Sequence, residues 1–333
     1  MEFWHYFNLL ERTVTRTTAA VSRFCCLGRR IGSVGKDSSR VRRKGVNMTA
    51  FKTLGAVVFL AGVAAMSPRV QAQTQQDRTQ DRVAFPAHKI MGNLHYVGTG
   101  TLNSYLITTP QGHVLINTNY EDTVPLLRAS VEKLGFTLTD IKIILGSHAH
   151  PDHQQADAVL KELTGGASVM AMEQDVPALK AMKAPSGKPH PIDRVLKDGE
   201  QVSLGGSTLT AHLTPGHTQG CTTWTMRIPD GGRTYDVLIA CGGLQEGARL
   251  VNNKNYPQIA EDFARSIKTL KALPADVFLG AHSWFFDLAG KYKRLGSATN
   301  PYIDPAGYKM WVDDMEKNYD TLIAEQKKNP PAN

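Results

Sequence analysis

Short apolar runs at strand spacing dominate the chain between residues 94 and 119. Three of them, 94–100, 103–110 and 113–119, follow one another closely, and Gln111-Gly112 lies between the last two as a hairpin turn would. Residues 123–135 instead space their apolar side chains as one helix face, which ends at Gly135. This pattern predicts an antiparallel meander followed by a helix.

Strands and helices alternate in the rest of the chain. The pattern predicts strands at 141–147, 168–172, 222–228, 235–241 and 275–281, a hairpin at 201–215 that turns at Gly205-Gly206, and helices at 154–166, 175–182, 256–273 and 307–327. No linker divides this region, and its second set of elements resembles the first. We therefore expect a single α/β domain over residues 83–333, built from two sheets with outer helices.

Residues 48–72 follow a different pattern. Lys52 precedes an apolar run from Leu54 to Met66, and the small-residue sequence Val70-Gln71-Ala72 follows it. This order is typical of a secretory signal peptide. The run is shorter than the ~20 apolar residues that span a bilayer, so we expect cleavage near Ala72, export to the periplasm and no stable membrane anchor.

The segments on either side of the predicted signal lack a core pattern. Residues 1–47 are rich in arginine, and we interpret them as an over-extended reading frame upstream of a start at Met48. A genuine targeting extension is the alternative. Residues 73–82 are rich in Gln, Asp and Arg, a composition that favours a flexible segment.

The positive charge of the chain is concentrated in this leader. The formal charge is +8, from 38 basic and 30 acidic side chains. Residues 1–73 hold 12 of the basic and 3 of the acidic ones, which leaves 26 basic and 27 acidic side chains beyond them. The predicted domain is therefore nearly neutral, so we expect no nucleic-acid partner. We also expect a monomer that acts on a small molecule.

Histidines lie at three predicted junctions between a strand and a loop. The first junction, SHAHPDHQQ, carries His148, His150, Asp152 and His153; the second, TPGHTQG, carries His217; and the third, LGAHSW, carries His282. Imidazole and carboxylate groups are ligands that zinc prefers in proteins. Active sites are often built at such junctions. We expect the remaining histidines of this region, His88, His95, His113, His190 and His212, to be ordinary surface or core residues.

The spacing within the first junction predicts two metal ions. In an extended loop, side chains two residues apart face the same way, so His148 and His150 can bind one metal. Asp152 and His153 follow a turn and face elsewhere, towards a second metal. Each pair then needs one further ligand from a distant loop, and His217 and His282 can supply one each.

This HxHxDH constellation resembles that of the metallo-β-lactamase superfamily, over about residues 83–330. The segments DGEQVSLGGSTLTAHLTPGHTQGCTTWTM and YPQIAEDFARSIKTLKALPADVFLGAH look like subclass B3 of the metallo-β-lactamases. The resemblance implies a four-layer αβ/βα sandwich of two mixed β-sheets with outer helices, and two zinc ions per chain. It assigns His148, His150 and His217 to the first zinc, and Asp152, His153 and His282 to the second.

The resemblance also implies a reaction, the opening of the β-lactam amide bond of penicillins, cephalosporins and carbapenems by zinc-activated hydroxide. Such an enzyme confers antibiotic resistance, and Asp152 has a second candidate role there, as the residue that orients the attacking water. Alternatives are a metallo-hydrolase of another strained or activated carbonyl, such as a lactone or thioester, and a zinc-binding protein without catalysis.

One missing residue favours the lactamase interpretation. Thioesterases, lactonases and phosphodiesterases of the superfamily generally have an aspartate that bridges both metals, after the strand between the second and third histidine loops. Here that strand ends in LIACGGL, with Cys241, Gly242 and Gly243. Asp236 is about five residues away, or ~17 Å at the rise of a strand. Subclass B3 often has serine in this region to bind the substrate carboxylate, and this chain has none there.

Several further residues leave alternatives open. Cys221 and Cys241 are the only cysteines beyond the leader, and an oxidising compartment favours a disulfide between them; Cys241 as a zinc ligand or a free thiol are the alternatives. Trp284, Phe285 and Phe286 could line a pocket or pack in the core. Ser283 and Asn117 could assist the site or serve as turn residues.

Overall fold

The computed structural model describes residues 79–331 apart from residue 246. Its first sheet has seven strands, which follow one another across the sheet in chain order. They are β1 (His88–Met91), β2 (Leu94–Tyr96), β3 (Tyr105–Thr109), β4 (Gly112–Ile116), β5 (Ile141–Leu145), β6 (Ser168–Met172) and β7 (Arg194–Leu196). Strands β1 to β4 pair antiparallel, and β4 to β7 pair parallel. The carboxyl ends of β4, β5 and β6 therefore lie along one edge, where α/β sheets bind ligands.

The second sheet has five strands in the order β12-β11-β10-β9-β8. They are β8 (Gln201–Leu204), β9 (Ser207–Leu213), β10 (Thr222–Asp230), β11 (Arg233–Ala240) and β12 (Val277–Gly280). Strands β8 to β11 pair antiparallel, and β12 runs parallel to β11. The end of β9, the start of β10 and the ends of β11 and β12 consequently lie at one edge of this sheet.

Apolar side chains fill the space between the sheets and cover both outer faces. Along β10, Trp224, Met226 and Ile228 are buried while Arg227 is exposed, which is the alternation expected of a strand with one face in the core. Together with residues such as Tyr105 of the first sheet they form the central cluster.

Helices form the two outer layers. They are α1 (Val124–Lys133), α2 (Pro151–Gln154), α3 (Asp157–Leu163), α4 (Val176–Ala181), α5 (Ile259–Ala272), α6 (Leu288–Lys293) and α7 (Pro305–Lys328). Leu127 of α1 and Leu160 of α3 pack on the first sheet. On the second sheet, the ring of Phe278 lies 5.2 Å from that of Tyr308 in α7. The expected four-layer sandwich of two mixed sheets is confirmed. Among the described residues, no helix has the length and apolar character needed to cross a membrane.

The structure corrects several predicted elements. Strands β1 and β7 and helix α6 were not predicted, because runs of three to six residues carry little periodicity. The strand predicted at 94–100 ends at Tyr96. The helix predicted at 154–166 is interrupted, since the amide of Ala156 donates to the carbonyl of Asn119 (3.1 Å) instead of continuing a helix.

The predictions for the leader concern residues outside the described range. These are the reading frame at 1–47, the signal peptide at 48–72 and the flexible segment up to residue 78. Residues 79–82 of that segment form a turn. Arg82 Nε donates to Asp122 Oδ2 (2.6 Å), and the Arg82 guanidinium lies 4.4 Å above the Tyr120 ring. These contacts attach the end of the segment to the residues that precede α1.

Candidate metal centre

Three histidines from two loops form the first cluster. His148 and His150 follow β5, and His217 lies in the loop between β9 and β10. Nε2 of His148 and Nε2 of His217 are 3.1 Å apart. One ring nitrogen from each of the three histidines lies within 4.8 Å of the others. The structure thus brings together the three residues predicted for the first metal.

The other three predicted ligands form a second cluster. Asp152 and His153 lie in α2, and His150, with extended backbone, precedes that helix. The backbone thus changes direction between the two pairs, although donor atoms of His148, Asp152 and His153 also lie within 4.8 Å of one another. Nε2 of His153 lies 3.2 Å from Nε2 of His282, which follows β12. Asp152 Oδ2 is 3.5 Å from His153 Nε2 and 3.7 Å from His282 Nε2.

The two clusters adjoin each other. The ring centroids of His148 and His153 are 4.3 Å apart, and both side chains are buried. His150, His217 and Asp152 are partly exposed, so the centre is open to solvent on one side. An open side is required if a substrate is to reach it.

Burial and neighbouring imidazoles favour the neutral form of four histidines, His148, His153, His217 and His282. Desolvation, with neighbouring histidines adding to it, holds the pKa of His148, of His153 and of His282 well below the usual value. The same causes lower the pKa of His217 to about 4. A neutral imidazole offers a lone pair to a cation. Three imidazoles in one cluster, and two with a carboxylate in the other, form donor sets that fit zinc.

Asp175 was missed by the sequence analysis and connects two of the loops. Its carboxylate is buried and accepts hydrogen bonds from the amide of Ala149 (2.8 Å), the hydroxyl of Thr218 (2.9 Å) and the amide of Gly220 (2.7 Å). Ala149 lies between His148 and His150, and Thr218 follows His217. Asp175 follows β6, whose carboxyl end lies beside that of β5. This position next to the histidine loop is the signal from which the sequence could have indicated Asp175.

The turn after β4 supports the histidine loop from the other side. Asn117 and Asn119 have left-handed backbone (φ 63° and 61°), which asparagine tolerates better than most residues. Asn117 Oδ1 accepts a hydrogen bond from the amide of Ser147 (2.8 Å). The amides of Thr118 and Asn119 donate to the carbonyl of His153 (2.8 and 3.0 Å). Asn117 is thus more than a turn residue, because it holds the end of β5.

Cys221 and Cys241 lie side by side behind the first cluster. Their Cα atoms are 5.7 Å apart and their sulfur atoms are at bonding distance, and both residues are buried. Cys241 Sγ is 3.1 Å from the carbonyl oxygen of Ser147 and 3.5 Å from His148 Nδ1. Cys241 therefore contacts the loop of His148 and lies near Nδ1 of that ring, whereas His217 faces its Nε2.

The corner directly after β11, Cys241-Gly242-Gly243, carries no acidic side chain. A Cβ atom at Gly242 would lie 2.7 Å from Cγ of His217, so a side chain there requires the His217 ring to move. The carbonyl of Gly243 accepts a hydrogen bond from His217 Nδ1 (3.0 Å). Asp236 is partly exposed and lies 3.6 Å from Arg227, away from the six predicted ligands.

The three aromatic residues after His282 have different surroundings. Trp284 is 43% exposed, and its ring stacks on that of His282 at 4.1 Å and 16°. Phe285 contacts Trp311 (5.3 Å), and Phe286 is buried in the central cluster. Trp284 combines contact with a predicted ligand and an exposed face, whereas Phe285, whose ring lies 5.6 Å from that of His282, is only partly exposed.

The comparisons with known proteins agree with this geometry. The sequence model of the metallo-β-lactamase superfamily matches residues 97–282. The FEZ-1 metallo-β-lactamase of Legionella gormanii is 44% identical, with a TM-score of 0.71, over 74% of this chain and 98% of that protein. BJP-1, a subclass B3 metallo-β-lactamase of Bradyrhizobium japonicum, is 33% identical, with a TM-score of 0.70, over 75% of this chain and 98% of that protein.

A second group of relatives is named for a different activity. The hydroxyacylglutathione hydrolase of Hyphomonas neptunium is 31% identical over 172 residues, which are 51% of this chain and 57% of that protein. The chain spans about half the length of the curated relatives it matches. The superfamily match and the similarity along almost the whole length of the solved structures show that the chain belongs to the metallo-β-lactamase superfamily. Its structure is similar to those of subclass B3 members.

Proposed function

We propose that this protein is a zinc-dependent β-lactamase that hydrolyses the amide bond of penicillins, cephalosporins and carbapenems. The observation that carries the proposal is the corner after β11. The superfamily's thioesterases generally have a metal-bridging aspartate there, whereas this chain has Cys241, Gly242 and Gly243, and Gly242 packs against the His217 ring. The similarity to FEZ-1 along almost the whole of that enzyme supports the same conclusion.

The proposed ligand sets divide the six residues between two ions. His148, His150 and His217 would hold the first, and Asp152, His153 and His282 the second; their proximity supports this assignment. When bound, zinc supplies a Lewis acid for the carbonyl oxygen and lowers the pKa of water towards ~7.

The protein's own groups would orient the reactants. Asp152 is the one carboxylate among the proposed ligands, and its side chain is 23% exposed. It can therefore accept a hydrogen bond from the attacking water and fix its direction towards the carbonyl carbon. Asp175 and the Asn117 amide hold the loops, so that the ligands are in place before substrate arrives. The exposed face of Trp284 can contact an apolar part of the substrate.

Thioester hydrolysis is the second candidate function. The observation in its favour is the similarity to hydroxyacylglutathione hydrolases over about half of their length. Against it, the described part of the chain has no acidic group at the corner after β11, and Asp236 pairs with Arg227 instead. A thioesterase at this site would have to work without the bridging carboxylate.

One assay separates the two candidates. The purified protein is mixed with a chromogenic cephalosporin and, separately, with a hydroxyacyl glutathione thioester, each before and after chelation and after zinc is restored. We expect cephalosporin turnover that chelation abolishes and zinc restores, and little thioester hydrolysis. Preferred turnover of the thioester would contradict the proposal, as would cephalosporin turnover that survives exhaustive chelation. Zinc binding without turnover of either substrate would indicate a non-catalytic protein.

We also propose export to the periplasm as a monomer after removal of residues 48–72. The proposal rests on the order of charged, apolar and small residues in that segment. Intact-mass measurement of protein from the periplasm should give a chain that begins at or near residue 73, and gel filtration should give the mass of one chain. A mature chain that retains Leu54–Met66 would contradict the signal-peptide assignment.

A further inference from the structure

The Cys221–Cys241 pair contacts the loop of one predicted metal cluster directly. The carbonyl of Ser147, the residue before His148, accepts a hydrogen bond from the amide of Thr222 (2.8 Å). Cys241 Sγ lies 3.1 Å from the same carbonyl oxygen. The residue before His148 is thus contacted by Thr222, which follows Cys221, and by the sulfur of Cys241.

The same pair lies on both sides of His217. Cys221 begins the chain segment that leaves the His217 loop, only four residues after that histidine. Gly242 and Gly243 directly follow Cys241; the first packs against the His217 ring, and the carbonyl of the second accepts its Nδ1 hydrogen bond. One covalent link therefore joins both sides of the His217 position.

The second cluster is attached differently. The carbonyl of His153 accepts hydrogen bonds from the amides of Thr118 and Asn119, in the turn after β4. His282 follows β12, whose last bond to β11, from the Ala281 amide to the Ala240 carbonyl (2.9 Å), comes before Cys241. None of these hydrogen bonds involves either cysteine.

We propose that the disulfide between Cys221 and Cys241 positions His148 and His217, so that its loss weakens zinc binding at the first cluster and spares the second. Both cysteines are positioning residues, since they act through the ligand loops. The inference rests on the two-zinc centre of the proposed function but not on its substrate.

Zinc titration in two backgrounds tests this selectivity. Asp152→Ala removes a ligand of the second cluster and leaves the first complete, whereas His217→Ala does the reverse. In each background, zinc affinity of the metal-free protein is measured with and without the pair Cys221→Ala and Cys241→Ala. We expect the cysteine pair to weaken binding about tenfold or more in the Asp152→Ala background, as loss of outer groups that orient ligands does, and less than twofold in the His217→Ala background.

A stability control distinguishes positioning from general loosening. Ile228, buried at the far end of β10, is replaced by Val or Ala, whichever lowers the unfolding midpoint as far as the cysteine pair does. This control should leave both zinc affinities within about twofold of their background values. If the cysteine pair does not fold, each background is reduced, alkylated and titrated in its place.

The outcomes separate this inference from the proposed function. Equal weakening in both backgrounds, weakening matched by the Ile228 control, or no weakening would each overturn the positioning role. Because no substrate is present, a protein that fails to open β-lactams could still meet the expectation. Conversely, an active β-lactamase could fail it.

Discussion

The two sheets contribute to the metal centre in different ways. The edge of the first sheet carries its polar residues in compact runs: Asn117–Asn119 after β4, His148–His153 after β5 and Asp175 after β6. The edge of the second sheet contributes isolated positions, His217, the corner at residues 241–243 and His282. The first edge therefore supplies most of the proposed ligands and the groups that hydrogen-bond to their loops, while the second adds one histidine to each cluster. Substitutions at the two edges should differ accordingly.

The largest effect is expected at Asp152 on the first edge. Asp152→Asn keeps the size of the side chain but removes the charge and one anionic ligand. Activity should fall by more than the ~10–100-fold that changes to outer-shell groups cost, and zinc stoichiometry should fall towards one. Asp236→Asn, on the second sheet and paired with Arg227, is the matched control and should be nearly silent. A greater loss for Asp236→Asn would restore a bridging-aspartate mechanism.

A smaller effect is expected at Asp175. Asp175→Asn should lower zinc affinity by ~10–100-fold, because an amide cannot accept all three hydrogen bonds from the two loops. Asp193→Asn provides the control, since Asp193 also accepts a backbone hydrogen bond, from Val169 at the start of β6, but at the opposite end of that strand. Equal zinc affinities of the two variants would show that Asp175 does not support the centre.

The sequence revealed the first edge more fully than the second. The spacing within SHAHPDHQQ indicates four of the proposed ligands, and the proposed assignment of His217 and His282 needed only one histidine per distant loop. The sequence did not indicate Asp175, because a single carboxylate after a short strand forms no recognisable pattern. Its role depends on the parallel pairing of β5 and β6. The contact of Gly242 with His217 depends in the same way on how β10 and β11 pair.

Two neighbouring glycines at the corner of the second edge, Gly242 and Gly243, allow a comparison in which activity should differ about tenfold. Gly242→Ala would place its Cβ 2.7 Å from the His217 ring, whereas Gly243→Ala meets only Trp311, at 3.8 Å. We expect Gly242→Ala to lower activity roughly tenfold, as displaced ligands do, and Gly243→Ala to stay within about twofold. Steady-state kinetics and zinc content measure both variants. Similar behaviour of the two would contradict the claim that this corner closes on His217.

The smallest effect concerns the stability of the metal-free protein. The pKa of His217 is about 4 in the folded chain and about 6.5 unfolded, so the unfolded state binds more protons between these values. Stability should therefore be unaffected above pH 7 and should fall as pH decreases from 6.5 towards 4, by up to about 1.4 kcal/mol per pH unit for this histidine. Urea unfolding at several pH values measures the slope, which His217→Gln should reduce. A slope that is unchanged in that variant would contradict the assignment.

The central claim is that six residues from both edges form two zinc sites. Anomalous diffraction at the zinc absorption edge, from crystals of the zinc-loaded protein, tests it most directly. The account predicts two peaks, one among His148, His150 and His217 and the other among Asp152, His153 and His282. A single peak, or a second ion bound by Cys241 in place of these ligands, would contradict it.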